Sequence, residues 1–278
     1  MLKFGLLGKV LGHSWSPQIH ERFFREMALS GTYELVEVPE SEVVDFLVHA
    51  GEHYDGLNVT IPYKVTALRQ TRKVTREARA IGAVNTLKFS GREVSGFNTD
   101  YLGFRRLLEH NGIAVENQTV VVLGSGGAAR AVLQALLDQR PHQVMVVVRN
   151  PAKAKEELKD VFERASRLSL TDYAHIAELP RHDVIVNTTP VGMYPNSGVS
   201  PVPATVFAGT RCAAVDIVYN PVETEFMRQA REAGCFACNG LYMLVAQALA
   251  SEEIWLERPI SPDLTALIAR EMEAWLHA

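Results

Sequence analysis

Three cysteines in 278 residues, Cys212, Cys235 and Cys238, are too few for a disulfide framework. That scarcity fits a reducing compartment, and the cytoplasm is the expected location. Cys235 and Cys238 form one C-x-x-C with no second pair and no histidine at ligand spacing beside it. They read as small buried side chains rather than a zinc or redox site. The nine histidines form no ligand cluster, and no metal is expected. Neither sign of charge dominates, with 28 Lys and Arg against 32 Asp and Glu and a net −4. There is thus no electrostatic case for nucleic acid or an anionic membrane. Long apolar runs are also lacking. Gly5, Gly8 and Lys9 break residues 1–11, which are not expected to serve as a signal-peptide core. Residues 233–251 carry no charge, but Cys235, Asn239, Gly240 and Gln247 interrupt them. A buried helix of a soluble protein is expected there, not a membrane span. No repeat or low-complexity tract occurs.

What is present is ordinary globular material. Hydrophobic residues make up 47% and charged residues 22%, too apolar for a disordered chain. At roughly 100–200 residues per domain, the length suits two. The first hundred residues alternate short strands with helical patterns. Strands are expected at 2–7, 33–38 and 57–60, and a hairpin at 83–89 and 93–97 around Ser90-Gly91. Helices are expected at 17–28, behind Ser16 as N-cap and Pro17, and at 40–50. A further helix, 101–111, is closed by Gly112. Beyond it the strands 120–123, 144–148, 184–187 and 213–218 are continuously apolar, as in a parallel sheet covered on both faces.

The run Leu123-Gly124-Ser125-Gly126-Gly127-Ala128-Ala129-Arg130 follows such a strand and opens a helix, the context that G-x-G-x-x-A requires. Gly124 permits the tight turn, Gly126 lets backbone approach a pyrophosphate, and Ala129 lets helix and strand pack closely. The helix N-terminus then offers free N–H groups to the phosphates. A Gly-rich βα turn without ligand is the alternative. The next strand ends in Val148-Arg149-Asn150-Pro151-Ala152-Lys153, without the carboxylate that would bind a ribose 2′-hydroxyl. Arg149 and Lys153 suit a 2′-phosphate, which favours NADP over NAD. The same two cations also read as solvated surface charge.

Short polar clusters punctuate the N-terminal half: Ser14-Trp15-Ser16-Pro17, Asn58-Val59-Thr60-Ile61-Pro62-Tyr63-Lys64, Gly82-Ala83-Val84-Asn85-Thr86-Leu87 and Asn98-Thr99-Asp100. Each alone has a structural reading: Ser16 as a helix cap, Asn58 as a turn residue, Asp100 as the N-cap of the next helix. Together with the glycine turn they continue into Asn187-Thr188-Thr189, Gly192-Met193, residues 216–221 with Thr224, and Gly240 with Met243-Leu244-Val245-Ala246-Gln247. In this order, over nearly the whole chain, the set resembles the shikimate dehydrogenase family.

That resemblance implies an α/β protein with an N-terminal substrate domain on a mixed sheet, residues 1–101. A Rossmann NADP-binding domain, 102–240, would follow, with a cleft between them. The C-terminal helices, 241–278, would return to the substrate domain and bring Gln247 to the cleft. It implies reversible NADPH-dependent reduction of 3-dehydroshikimate to shikimate, on the route to aromatic amino acids. Ser14 and Ser16 would hold the substrate carboxylate, with Tyr219 lining that side. Thr60, Asn85 and Gln247 would bind ring hydroxyls. Lys64 and Asp100 would be the catalytic pair and also touch substrate. Gly124, Ser125, Gly126, Gly127, Ala128, Arg149, Asn150, Lys153, Thr188 and Gly240 would contact NADP(H). The family often has Asn-Arg-Thr where this chain has Val148-Arg149-Asn150, so two polar contacts differ. A lysine ammonium within reach of the carbonyl can give a proton as charge develops on oxygen and recover it in reverse. His13 is expected to be structural. A monomer or homodimer is expected. The alternatives are a quinate/shikimate or aminoshikimate dehydrogenase of the same family, or a non-catalytic NADP-dependent sensor. A sensor has no need of Lys64 and Asp100.

Overall fold

The computed structural model describes residues 1–12, 14–208 and 212–277. Two compact units share the chain: Met1–Gly103 with Val245–Ile268, and Phe104–Leu244 with Ala269–Ala278. The expected crossings lay near 101 and 240, with the whole tail in the first unit. Here residues 241–244 and 269–278 group with the second.

The first unit contains β1 (Leu2–Gly8), α1 (Ser16–Glu26), β2 (Gly31–Glu37), α2 (Val43–His49), β3 (Gly56–Val59) and α3 (Lys64–Gln70). It continues through β4 (Lys73–Val74), α4 (Arg76–Ile81), β5 (Thr86–Ser90) and β6 (Glu93–Phe97) into the start of α5 (Thr99–His110), which passes to the second unit at Phe104. Its six strands form one mixed sheet in the order β2-β1-β3-β5-β6-β4. β1 runs parallel to β2 and β3, whereas β5 is antiparallel to β3 and β6. Ser90 pairs with Glu93 across the hairpin, and Gly91 takes the left-handed φ of +60° that the turn needs. β5 starts at Thr86 rather than 83, because left-handed Gly82 closes the unanticipated α4 just before it. Leu7, Leu57, Val59, Tyr63, Ala67, Val84 and Leu87 are buried together beneath this sheet. Each large apolar side chain so buried contributes roughly 1.5–3 kcal/mol.

The second unit contains β7 (Thr119–Leu123), α6 (Gly127–Leu137), β8 (Gln143–Val148), α7 (Pro151–Glu157), α8 (Lys159–Arg164) and β9 (Leu168–Asp172). β10 (Val184–Asn187), β11 (Ala213–Asp216), α9 (Glu225–Glu232) and β12 (Phe236–Cys238) follow. The last helices, α10 (Leu241–Leu256) and α11 (Pro262–His277), each contribute residues to both units. The sheet order is β12-β11-β10-β7-β8-β9 with every pairing parallel, the doubly wound order of a Rossmann fold. The order reverses between β7 and β10, so the turns after these two strands face the ligand crevice typical of such sheets. β11 stops at Asp216 because the Asp216 carboxylate takes the Val218 N–H at 3.0 Å.

Residues 233–251 do not form the single helix expected. They hold β12, a turn and the start of α10. The Asn239 side chain accepts the Leu241 N–H at 3.0 Å and starts the helix. Gly240 is packed so tightly that a Cβ would lie 2.1 Å from the Ile217 carbonyl oxygen. Among the described residues, no helix is long and apolar enough to cross a membrane.

Candidate active site

The polar clusters of the first unit converge through side-chain hydrogen bonds. Asn58 is not a turn residue. It sits within β3 opposite Leu6 and is buried. The Tyr33 hydroxyl donates to its Oδ1 at 2.8 Å, and its Nδ2 donates to Thr86 Oγ1 at 3.1 Å and Ser251 Oγ at 2.8 Å. Asn85 Oδ1 accepts the Thr99 N–H at 2.6 Å and the Thr86 hydroxyl at 3.0 Å. The Thr99 hydroxyl reaches Gln247 Oε1 at 3.5 Å. Buried polar groups require such partners, and a connected network holds each member in one orientation. With its oxygen also taking the Thr99 hydroxyl at 3.2 Å, three bonds in all, Asn85 has Nδ2 as the donor it can offer another molecule.

Lys64 and Asp100 meet within this unit. Tyr63 is buried and its hydroxyl donates to the Val38 carbonyl at 2.6 Å, anchoring the start of α3, where Lys64 is the first residue. Asp100 does not cap α5. Asn98 takes that role, accepting the Tyr101 N–H at 3.3 Å. Asp100 instead receives Lys64 Nζ on Oδ2 at 2.6 Å, with side chains 18% and 26% exposed respectively. The pair is screened from bulk water yet open to a small molecule.

Ser16 opens α1 and is not its N-cap. That position is Trp15, whose side chain makes no capping bond. Ser14 Oγ accepts the Ser16 N–H at 3.2 Å, and the two hydroxyls lie 3.1 Å apart. Burial holds the Tyr33 hydroxyl pKa well above the usual phenol value, with Ser16 acting to lower it. Thr60 follows β3 directly, its N–H bonded to the Leu7 carbonyl at 2.9 Å. His13 lies outside the described residues.

The second unit contributes a different surface. Gly124 has φ +103°, and a Cβ there would lie 3.0 Å from side-chain atoms of both Thr188 and Thr189. The Thr188 hydroxyl donates to the Leu123 carbonyl at 2.6 Å, so Thr188 braces the turn from below. Nothing lies within 4 Å of where a Cβ would sit on Gly126 or Gly127, and both are exposed. Ser125 and Ala128 are half-exposed beside them, while Ala129 is buried against the sheet. α6 starts here with no side-chain cap and no acidic residue in its first turn, leaving N–H groups available to an anion. At the end of β8, Arg149 and Asn150 are exposed. Asn150 caps α7 by accepting the Lys153 N–H at 3.0 Å, and exposed Lys153 lies 3.5 Å from Glu157. Of the two expected cations, Arg149 is therefore the better placed for a phosphate. Arg130 is committed to Asp160 through bonds of 3.0 and 2.9 Å.

Asp216, wholly buried, accepts from Thr224, Asn187 and Val218 at 2.7, 2.9 and 3.0 Å. Burial outweighs these bonds and pushes its carboxyl up to about 6. Tyr219, half-buried with its hydroxyl pKa raised by burial, belongs to the second unit, as does Gly240. Gln247 belongs to the first. Cys235 meets Cys212, not Cys238, at 3.0 Å, and burial pushes the Cys238 thiol up to about 12. Among the described residues, no three His, Cys, Asp or Glu side chains gather in a metal-holding group. Tyr33 and Ser251 are not among the residues expected at the site. Ser251 had a usable signal, one helical turn beyond Gln247. Tyr33, in an ordinary strand pattern, had none.

Residues 6–87 match the family model described as the shikimate dehydrogenase substrate binding domain, and 106–194 match that described as shikimate / quinate 5-dehydrogenase. The chain is 40% identical over 258 residues to shikimate dehydrogenase (NADP(+)) of Clostridium perfringens, covering 92% of each. The crystal structure of a chorismate mutase/shikimate 5-dehydrogenase fusion protein from Clostridium acetobutylicum is 44% identical. It superimposes with a TM-score of 0.92, covering 100% of this chain and 99% of that one. The shikimate 5-dehydrogenase of Thermus thermophilus, in complex with NADP(H) and shikimate, gives 0.86 at 33% identity. There the coverage is 98% of this chain and 99% of that one.

Proposed function

This chain belongs to the shikimate dehydrogenase family, and on that premise we propose that it reduces 3-dehydroshikimate reversibly to shikimate with NADPH, using Lys64 and Asp100 as its catalytic pair. The observation that carries this reading is the 2.6 Å contact between Lys64 Nζ and Asp100 Oδ2 in a sheltered polar cluster. NADPH, when bound, supplies the hydride. Lys64 donates a proton to the carbonyl oxygen as negative charge develops there, and its ammonium stabilises that charge throughout. In the reverse direction Lys64 takes the proton back. Asp100 fixes the position of Nζ and accepts from the neighbouring hydroxyl.

The rest of the cluster suits a small polyhydroxylated carboxylate. The Ser14 and Ser16 hydroxyls donate to the carboxylate. Thr60, Asn85 through Nδ2, and Gln247 address the ring hydroxyls. The residues after β7 fit a dinucleotide, because Gly126 and Gly127 leave open the space that a Cβ would fill. Gly124, Ser125 and Ala128 complete that turn, Thr188 braces it, and Gly240, packed against Ile217, is a further cofactor contact. Arg149, at the end of a strand β8 that carries no acidic residue of its own there, favours a 2′-phosphate. Asn150 and Lys153 lie at the same edge. With only three cysteines, the chain suits the cytoplasm.

The test is steady-state turnover of the purified chain with shikimate or quinate, each with NADP or NAD. Reduced nicotinamide is followed by its absorbance. The expected result is shikimate-dependent reduction with NADP preferred. No turnover of shikimate with either cofactor would refute the reading, and equal turnover of quinate would widen the substrate class.

A further inference from the structure

Behind the polar cluster lie two ionisable side chains that the reaction does not use. His20 on α1 and Glu252 on α10 are both fully buried, with Nδ1 and Oε1 2.6 Å apart. Burial holds the Glu252 carboxyl above its ordinary range, opposed by the bond from His20 and the positive charge of Arg258. Among the described residues, His20 Nε2, Glu252 Oε2 and two guanidinium nitrogens of Arg258 have no hydrogen-bond partner. Burying such a pair is costly, and well-packed apolar residues often serve stability as well or better. The surroundings would accept them, since the Phe24 and Trp255 rings lie beside His20.

The location of the pair suggests another reason for it. His20 stands one helical turn beyond Ser16 on α1. Glu252 adjoins Ser251, which follows Gln247 by one turn on α10. The His20 ring also stacks on Tyr33, with centroids 3.9 Å apart and planes 8° from parallel. The Tyr33 hydroxyl in turn donates to Asn58 Oδ1 at 2.8 Å, and Asn58 Nδ2 donates to Ser251 Oγ. Two routes therefore lead from the pair to the site, one along the helices and one through the tyrosine.

We propose that His20 and Glu252 form a positioning pair for the substrate site, tying α1 to α10 so that Ser16 and Gln247 keep the separation that one small ligand requires. The proposal rests on the reading that Ser16 and Gln247 bind substrate. Neither His20 nor Glu252 touches the ligand. Their effect passes through the Tyr33 ring and the Ser251 hydroxyl.

The experiment compares His20→Leu, Glu252→Leu, the double variant and Glu252→Gln by kinetics with both substrates and by thermal melting. A displacement of about an ångström at a site costs up to about 100-fold. Each leucine variant is expected to raise the KM for shikimate at least about tenfold while the KM for NADP stays within about twofold. The double variant is expected to be no worse than the single ones, because one interaction is lost in all three. Glu252→Gln keeps an acceptor for Nδ1 and is expected to restore most of the shikimate affinity. An unchanged KM for shikimate in the leucine variants, or equal rises for shikimate and NADP, would overturn the proposal and leave the pair a structural one. If a leucine variant does not fold, Glu252→Asp, one methylene shorter, must still raise the shikimate KM selectively. Ser16→Ala and Gln247→Ala are measured alongside. If neither changes the shikimate KM, the binding reading itself fails, and that failure is distinct from failure of the pair.

Discussion

The polar cluster of the first unit and the glycine turn of the second handle ligands by opposite means. In the cluster, side chains are bonded to one another before any ligand arrives: Asn58 to Ser251, Asn85 to Thr99, Lys64 to Asp100. In the turn, Gly126 and Gly127 are exposed, have empty space above them, and open a helix without a side-chain cap. A small hydroxylated ring offers few atoms, so its recognition depends on donors and acceptors fixed in advance. A pyrophosphate offers charge and needs backbone N–H groups that nothing else has claimed. Changes in the cluster should therefore disturb chemistry, whereas changes in the turn should disturb affinity or folding.

Lys64→Ala is the strongest test of that contrast. Turnover should fall about 10²–10⁴-fold, the range for loss of a general acid–base group, with the melting temperature little changed. Near-normal turnover in a folded variant would break the contrast at its centre. In the second unit, two glycines should diverge. Gly240→Ala forces a Cβ to within 2.1 Å of the Ile217 carbonyl oxygen and should cost at least about 2–3 kcal/mol of stability. Gly126→Ala meets no atom within 4 Å and should leave unfolding unchanged while weakening NADP binding. Equal destabilisation by both in denaturant titrations would show that the turn is not open as described.

Arg149→Ala should weaken NADP about tenfold or more, as expected for a lost charge-assisted bond to a phosphate, and NAD much less. Equal losses in binding titrations would remove Arg149 from the 2′-phosphate. The smallest effect concerns Asp216. Its folded pKa is raised to about 6, so between its unfolded value and pH 6 the folded state binds more protons than the unfolded one. Its contribution is therefore most favourable at low pH and is lost as pH rises through about 6. The wild type should gain about 1 kcal/mol from this group between about pH 7 and pH 5, relative to Asp216→Asn. A constant difference between the two proteins across that range would contradict the raised pKa.

Much of the fold was legible because it rests on local chemistry. Continuously apolar strands, the glycine turn after β7 and the Ser90-Gly91 hairpin all declare themselves within a few residues, since burial on two faces or a left-handed φ restricts composition on the spot. Short elements were less visible. α3 and α4 span seven and six residues, too few for periodicity to stand out. The uncharged run 233–251 was misread as one helix because its division into β12 and α10 is imposed by Asn239 and by the contact of Gly240 with Ile217.

By itself, the sequence determined which residue types were available: hydroxyls and amides in the first unit, glycines and a cation without a carboxylate in the second. Only the tertiary structure decided which of them meet. Asn58 and Ser251 are 193 residues apart and bond at 2.8 Å, and His20 and Glu252, 232 apart, meet at 2.6 Å. Asp100, a plausible helix cap from its position alone, turns to Lys64 because Asn98 has already taken the cap. A hydrogen bond depends on separation in space, and a buried polar side chain takes whichever partner the packing of distant elements brings within reach.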